Sequence, residues 1–387
     1  MTRQNNKAMW AIGLVSVLLG LLWLRLHGPW RNPSAPLPQS HEASTAQLRG
    51  LSGSVGNGPF ASGEAPAEAV EKLPIPPCWE GLLALDEHPS LLSLRDALRA
   101  AISGEDPLLI DYLQERLAEV IGGDPASALT VVGWATESGP PLSSHLLTAV
   151  KHTAAVQQKA VADKLLALGA DGKQGLDVRR AALDALETQR TLSPDALGQL
   201  KSVAMDQDAD EVAWMATRTI GKVMTEEFGR GGSVGSYMKE LLDIGQHSAD
   251  TAVRSLALEM PSYASIPVDK SALAQLGQAL ARDPDRAVRE MAAFRLGLSR
   301  DPGEALSHLG GAFAGERDLC VRAAIFRFAV RAAGSKALPL LDKLSKIEPR
   351  LRPDYEDYAA IYARGTVDFA RVWLEKPERL QCLDEGE

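Results

Sequence analysis

Few residues in this 387-residue chain have the type and spacing to do chemistry. Histidines stand at His27, His41, His88, His145, His152, His247 and His308. None forms His-Glu-x-x-His, and none has a cysteine or carboxylate at a recurring ligand spacing, so a metal centre is not expected. His145 and His152, seven apart, would share one face of a continuous helix and read as a surface pair. Gly229-Arg230-Gly231-Gly232-Ser233-Val234-Gly235 invites a phosphate-loop reading. It lacks the closing Gly-Lys-Ser/Thr that would place a lysine and a magnesium ligand, and no buried strand precedes it, so it reads as the longer loop that stretches one repeat to 41 residues. Gly172-Lys173-Gln174 fails the same test, and no Gly-x-Ser-x-Gly nucleophile elbow is present. The acidic run Asp354-Tyr355-Glu356-Asp357 reads as a solvated helix start. The expectation is a protein with no catalytic residues, no cofactor, no metal and no evident small-molecule substrate.

Three cysteines, Cys78, Cys320 and Cys382, are too few and too scattered for a zinc module or a disulfide framework. Either they are independent thiols or, in an oxidising compartment, one pair joins and leaves one over. Cys320 falls on an expected helix start, so Cys78 with Cys382 is the candidate disulfide.

What the chain offers instead is helical surface. Aromatic residues make up only 5%, while alanine and leucine dominate, which favours helices packed through small residues over a β-rich core. The formal net charge is −9. Residues 1–77 carry six Lys/Arg and four Asp/Glu, or +2, which leaves −11 for residues 78–387. An acidic body cannot release phosphate counterions as a basic one does, so nucleic acid is not an expected partner.

Residues 1–7 form a short tail before a span assigned to residues 8–26. Within it Ala8–Leu24 is uncharged, with Ser16 its only polar side chain. Seventeen residues at a helical rise cover roughly 26 Å, the lower end of what crosses a bilayer. Trp10, Trp23 and Trp30 lie near its ends, where amphipathic rings favour the membrane boundary. A cleavable export signal is the alternative, but bulky and charged residues (Arg25-Leu26-His27) follow in place of a small-x-small site. Arg3 and Lys7 before the span, against Arg25 and Arg31 after it, lean toward a cytoplasmic N-terminus and an extracytoplasmic remainder. Residues 27–77 follow as a disordered linker: Gly28–Pro77 hold nine prolines, six glycines and six serines. As a flexible coil it would average about 40 Å end to end.

From Trp79 onward nearly every segment reads as a helix of 10–16 residues, with Asp106-Pro107, Asp124-Pro125 and Asp301-Pro302 as starts. Gly122-Gly123, Gly139 and Gly334 read as stops. The second half repeats. Val178, Val212, Val253, Val288 and Val321 are spaced by 34, 41, 35 and 33 residues. Four positions after them stand Ala182, Ala216, Ala257, Ala292 and Ile325; directly after them stand Arg179, Ala213, Arg254, Arg289 and Arg322. An aspartate precedes each by one to three residues: Asp177, Asp210, Asp250, Asp285 and Asp318. The valine, its +4 residue and the apolar +8 residue (Leu186, Ile220, Leu296) share one helical face, which predicts burial. Pro261 occupies a +8 slot and is expected to end its helix early. Other helices are predicted between these, so each period holds a helix pair, and repetition at this length predicts a stacked solenoid.

DTAVRSLALEM from Asp250, DRAVREMAAFRLG from Asp285 and DLCVRAAIFRF from Asp318 resemble HEAT repeats, in which an Asp-x-x-Val-Arg segment opens the second helix of each pair. The resemblance is good over about residues 160–345 and degenerate over 82–158. The expected fold is therefore all-α: one transmembrane helix, a disordered linker and an α-solenoid of stacked antiparallel helix pairs. Its domains are degenerate repeats over 78–158, HEAT-like repeats over 159–347 and a helical cap over 348–387. Asp250, Asp285 and Asp318 are expected to cap second helices. Arg179, Arg254, Arg289 and Arg322 are expected to bond toward those aspartates or toward the next repeat.

In HEAT-like stacks the second helices line the concave side, so the resemblance marks the slot six after each valine as a partner surface: Asp184, Arg218, Glu259, Phe294 and Arg327. Trp214 would be an aromatic anchor beside them; the alternative packs Trp214 and Phe294 between repeats. The expected function is a non-enzymatic, membrane-tethered protein–protein scaffold. A cytoplasm-facing adaptor is one rival. A HEAT-like enzyme of the phycobilin-lyase or DNA-alkylation-glycosylase type is another.

Overall fold

Many of the helices begin where the sequence supplies a side-chain cap. The computed structural model describes residues 86–87, 89–207, 210–379 and 382, which belong to one compact unit. Helix α1 (Leu91–Ser103) starts on a Ser90–Ser93 capping box. Asp106, Asp124 and Asp301 each accept from first-turn backbone N–H groups ahead of a proline at N1, opening α2 (Pro107–Ile121), α3 (Pro125–Glu137) and α13 (Pro302–Phe313). Gly122 (φ 53°) and Gly334 (φ 58°) end their helices in the left-handed region where a Cβ would be strained.

Between these lie α4 (Leu142–Lys151), α5 (Lys159–Ala170), α6 (Leu176–Leu186), α7 (Pro194–Ala204), α8 (Asp210–Gly229) and α9 (Gly235–His247). The chain continues through α10 (Thr251–Tyr263), α11 (Lys270–Arg282) and α12 (Arg286–Leu296). Beyond α13 come α14 (Leu319–Ala333), α15 (Leu338–Ile347), α16 (Arg352–Ala363) and α17 (Phe369–Glu375). Among the described residues there is no strand beyond one isolated bridge, Val268 to Ser299.

The helices stack in two layers. From α3/α4 to α13/α14, consecutive antiparallel pairs place the odd-numbered helix in one layer and the even-numbered one in the other. Each helix packs on its own partner and on the like helix of the pair before and after. This is a helical repeat-like array, consistent with an α-solenoid. The repeat positions are its core: Val178, Val212, Val253, Val288 and Val321 are buried, as are the +4 alanines, Ile325, Leu186, Ile220 and Leu296. They lie on α6, α8, α10, α12 and α14, the even layer.

A ladder of arginines ties successive pairs together. Asp250, Asp285 and Asp318 are N-caps of α10, α12 and α14. The arginines four residues on bypass these caps and reach forward. Arg254 binds Asp283 through Nε (2.9 Å) and Nη2 (3.1 Å), and Arg289 binds Glu316 through Nε (2.7 Å). Arg322 Nη1 donates to Glu348 at 2.8 Å. Each acid lies in the turn before the next even-layer helix or its counterpart. Asp283 and Glu316 also accept from the backbone N–H of the following cap residue, at 2.9 and 2.8 Å. Arg179 departs from this and donates to the Gly169 carbonyl (3.0 Å).

The Arg350 guanidinium, followed by that of Arg322, holds the buried Glu348 carboxyl down to about 2, from an ordinary 4.5. A depressed carboxyl stabilises the fold above its unfolded value and loses that contribution as pH falls through its folded value. Glu348→Gln should therefore flatten the stability–pH curve between about pH 4.5 and 2, read as denaturant midpoints at stepped pH. An acid limb identical to wild type would refute this role.

Three expectations need correction. Helix α10 does not stop early but continues through Pro261 to Tyr263. A proline in the last turn removes a single backbone bond, and its ring is buried in the +8 slot. The 41-residue period is not stretched mainly by a loop over 229–235: α8 itself runs 20 residues, burying Val223 and Met224 beyond Ile220. Finally, Cys382 pairs with Cys320, Cα–Cα 5.4 Å, and not with Cys78. Cys320 does lie on a helix start, but a first-turn position faces the edge of the stack, where the returning C-terminal segment brings Cys382. Cys78 lies outside the described residues, as do Ala8–Leu24 and the linker. Among the described residues no helix is long and apolar enough to cross a membrane.

Candidate partner-binding face

The +6 slots project from consecutive even-layer helices, and the structure divides them into two groups. On α6 and α8 they join one charged network with Lys151 of α4 and Glu187. Lys151, in the last turn of α4, donates to both Asp184 oxygens at 2.8 Å. Arg218 on α8 reaches back to Glu187 at 3.0 Å and to Asp184 at 3.7 Å. Glu187 is buried, and that burial pushes its carboxyl up while Arg218 pulls it back. A network with cations from two helices around two carboxylates of a third fixes the relative rotation of all three.

Trp214 stands one turn before Arg218, whose guanidinium lies 5.8 Å from the indole centroid. Its relative exposure is 36%, so it is not packed between repeats. On α10, Glu259 accepts from the Tyr263 hydroxyl at 2.7 Å, and Tyr263 is 58% exposed. Large aromatic side chains left in solvent beside an organised cation are the residue types that anchor protein interfaces.

Over α12 and α14 the same layer is occupied. Phe294 packs edge-on against Phe328 with centroids 5.3 Å apart, between repeats. Arg327 lies 4.6 Å from the Trp373 ring, and Arg331 is held between Phe294 (5.1 Å) and Phe369 (5.3 Å). Phe369 and Trp373 belong to α17, so the C-terminal segment folds back over this end of the layer. Of the six partner-surface residues, Asp184, Trp214 and Arg218 therefore come together, Glu259 stands one helix further on, and Phe294 and Arg327 are covered by the chain itself.

Sequence reasoning missed Lys151, Glu187, Tyr263, Arg331 and the α17 aromatics. Phe369 and Trp373 are four apart on a capped helix, a visible signal; Lys151 and Glu187 lie outside the repeat register and give none. His145 and His152 form no pair. The Gln114 side chain contacts His145 Nδ1 at 3.0 Å, and burial lowers that imidazole's pKa; His152 ends α4. Among the described residues no group of His, Cys, Asp and Glu is arranged to hold a metal. An open concavity is lined by Glu115, Glu119 and His152, none of them a member of the network.

Comparison with protein-family models, curated proteins and solved structures gave no match. The fold and the face therefore define the class without a family: a two-layered array of helix pairs with an aromatic and charged even layer.

Proposed function

We propose that this chain is a membrane-tethered, HEAT-like scaffold that binds another protein through the even layer of its helical stack and performs no catalysis. The observation that carries this reading is Trp214, exposed beside the Lys151–Asp184–Glu187–Arg218 network. It lies on an uncovered stretch of the same layer whose far end the chain fills with its own aromatic helix. Stacked repeats present extended surface, which suits recognition of a protein over capture of a small substrate. The tether is the apolar run Ala8–Leu24, and its role is to raise local concentration at the membrane. An extracytoplasmic address is supported by the Cys320–Cys382 disulfide, because such bonds persist in oxidising compartments. The cytoplasm-facing adaptor and the HEAT-like enzyme are the rival readings, and no side-chain arrangement favours either.

The test is affinity capture of the full chain from detergent-solubilised membranes, comparing wild type with Trp214→Ala/Arg218→Ala. Losing an exposed aromatic anchor with its cation should weaken capture by about 30-fold or more, with the helical circular dichroism unchanged. Equal capture by the variant would place the partner elsewhere. Failure of wild type to retain any protein would end the scaffold reading.

A further inference from the structure

The C-terminal segment behaves as a ligand of its own chain. After α16 the chain turns at Gly365 and lays α17 across the even layer, with Val372 buried and Phe369 and Trp373 against Arg331 and Arg327. Glu378 meets Arg327 at 3.3 Å, and Arg379 Nη2 donates to Asp357 at 2.8 Å. Lys376 pairs with Asp354. The segment ends on a double fastening. Arg286 Nη2 donates to the Cys382 carbonyl at 2.6 Å, and Cys382 is bonded to Cys320 in the first turn of α14.

Two features distinguish this seat from ordinary packing. Beyond the buried Val372 and the Lys376–Asp354 pair, its contacts are partly exposed rings and ion pairs, of the kind that each contribute little: Trp373 remains 52% exposed and Leu374 77% exposed. The covalent bond closes the far end of this seat. The face underneath also keeps unspent attraction for acid. Arg331 meets no carboxylate within ion-pair distance among the described residues, and burial lowers its pKa and that of the neighbouring Arg295.

We propose that residues 364–379, fastened through Cys382, are a thiol-gated strap over a docking face formed by Phe294, Arg327, Phe328 and Arg331. When the strap is released, the face takes a short amphipathic helix of another protein, with aromatic residues four apart followed by a carboxylate. This deepens the scaffold reading and rests on it. The occupant's chemistry is that of the segment now seated there, Phe369-x-x-x-Trp373 followed by Glu375 and Glu378. Release is thiol–disulfide exchange with a dithiol reductant. One thiolate attacks the half-buried Cys382 sulfur and displaces Cys320 as thiolate, and the second thiol then resolves the mixed disulfide. The reductant leaves as its disulfide, and both cysteines take up protons as thiols.

The test uses the full chain and a fluorescent peptide of residues 366–379. Cys382→Ser/Phe369→Ala/Trp373→Ala releases the strap and removes its competing rings, and this variant should bind the peptide. Oxidised wild type should not. Adding Arg327→Ala and Arg331→Ala should weaken peptide binding by about tenfold or more. Should the triple variant unfold, amide exchange in wild type answers the same question: dithiothreitol should deprotect 369–375 and leave α12 and α14 protected. A released chain that ignores the peptide, equal binding by oxidised wild type, or strap-exchanged dimers on reduction would each overturn the proposal. None of these results depends on the natural partner of the Trp214 face, so the strap can fail while the scaffold reading stands. Loss of partner capture alone would leave the strap standing.

Discussion

Arg254→Ala should lower the stability of the helical unit by about 3–5 kcal/mol, the range for removing one member of a buried ion pair. Arg254 and Asp283 have side chains only 8% and 6% exposed. The guanidinium also donates from Nη1 to the carbonyls of Ser248 (3.1 Å) and Ala249 (3.0 Å), ahead of the α10 cap. Truncation therefore strands a carboxylate and two carbonyls together, and the stranded charge accounts for most of the loss. For that reason Arg254→Ala/Asp283→Ala should be less damaging than the sum of the two single variants. Because each repeat contacts mainly its neighbours, the loss falls on one interface, between α10 and the α11/α12 pair. A urea titration should show a lower midpoint and, where coupling across that interface breaks, a second transition. An unfolding free energy within about 0.5 kcal/mol of wild type, as for an ordinary surface change, would show that the ladder is ornamental.

Cys320→Ser should cost about 4 kcal/mol against the oxidised chain, on the chain-entropy account of a cross-link closing a loop of this length. The bond joins residues separated by 62 positions. It restrains the unfolded chain over α14–α17, where the repeat register of α14 gives way to the C-terminal cap. The measurement is the denaturant midpoint of wild type with and without reductant, beside the variant. Reduced wild type should match Cys320→Ser, and the variant should not respond to reductant. A reductant-insensitive wild type would show that the bond contributes nothing to the fold.

Much of the array was readable from residue types. A valine with a small residue four on and an apolar one eight on defines a buried face, and every one of those positions is buried where predicted. Asp-x-x-Val gave the caps, because a short carboxylate in that position meets the free N–H groups of the next turn. The ladder was half legible. Reaching to the next repeat was one of two expected directions, and the acids that receive it (Asp283 and Glu316, two residues before the caps Asp285 and Asp318) recur in the sequence without having been singled out. Pro261 misled because a helical proline loses its own backbone bond and crowds the turn before it, which does not stop two further residues from completing the last turn.

The face was less legible. Trp214 and Arg218 were placed on it by the resemblance to HEAT-like stacks, but the partners that organise Arg218 sit on α4 and at the end of α6, outside the repeating positions. The return of α17 over Phe294 and Arg327 was not readable at all. It depends on where the chain emerges from α16, a property of the whole stack, and no local pattern encodes it. The cysteine pairing failed for the same reason.

The central claim is that the even layer around Trp214 is a protein-binding surface, and site-specific photocrosslinking tests it most directly. A benzophenone side chain replaces Trp214 in the full chain, and in a control replaces the exposed Lys239 of α9, in the other layer. The account predicts a discrete protein adduct from position 214, lost when Arg218→Ala is added, and none from position 239. Adducts of equal yield from both layers, or none from position 214, would contradict it.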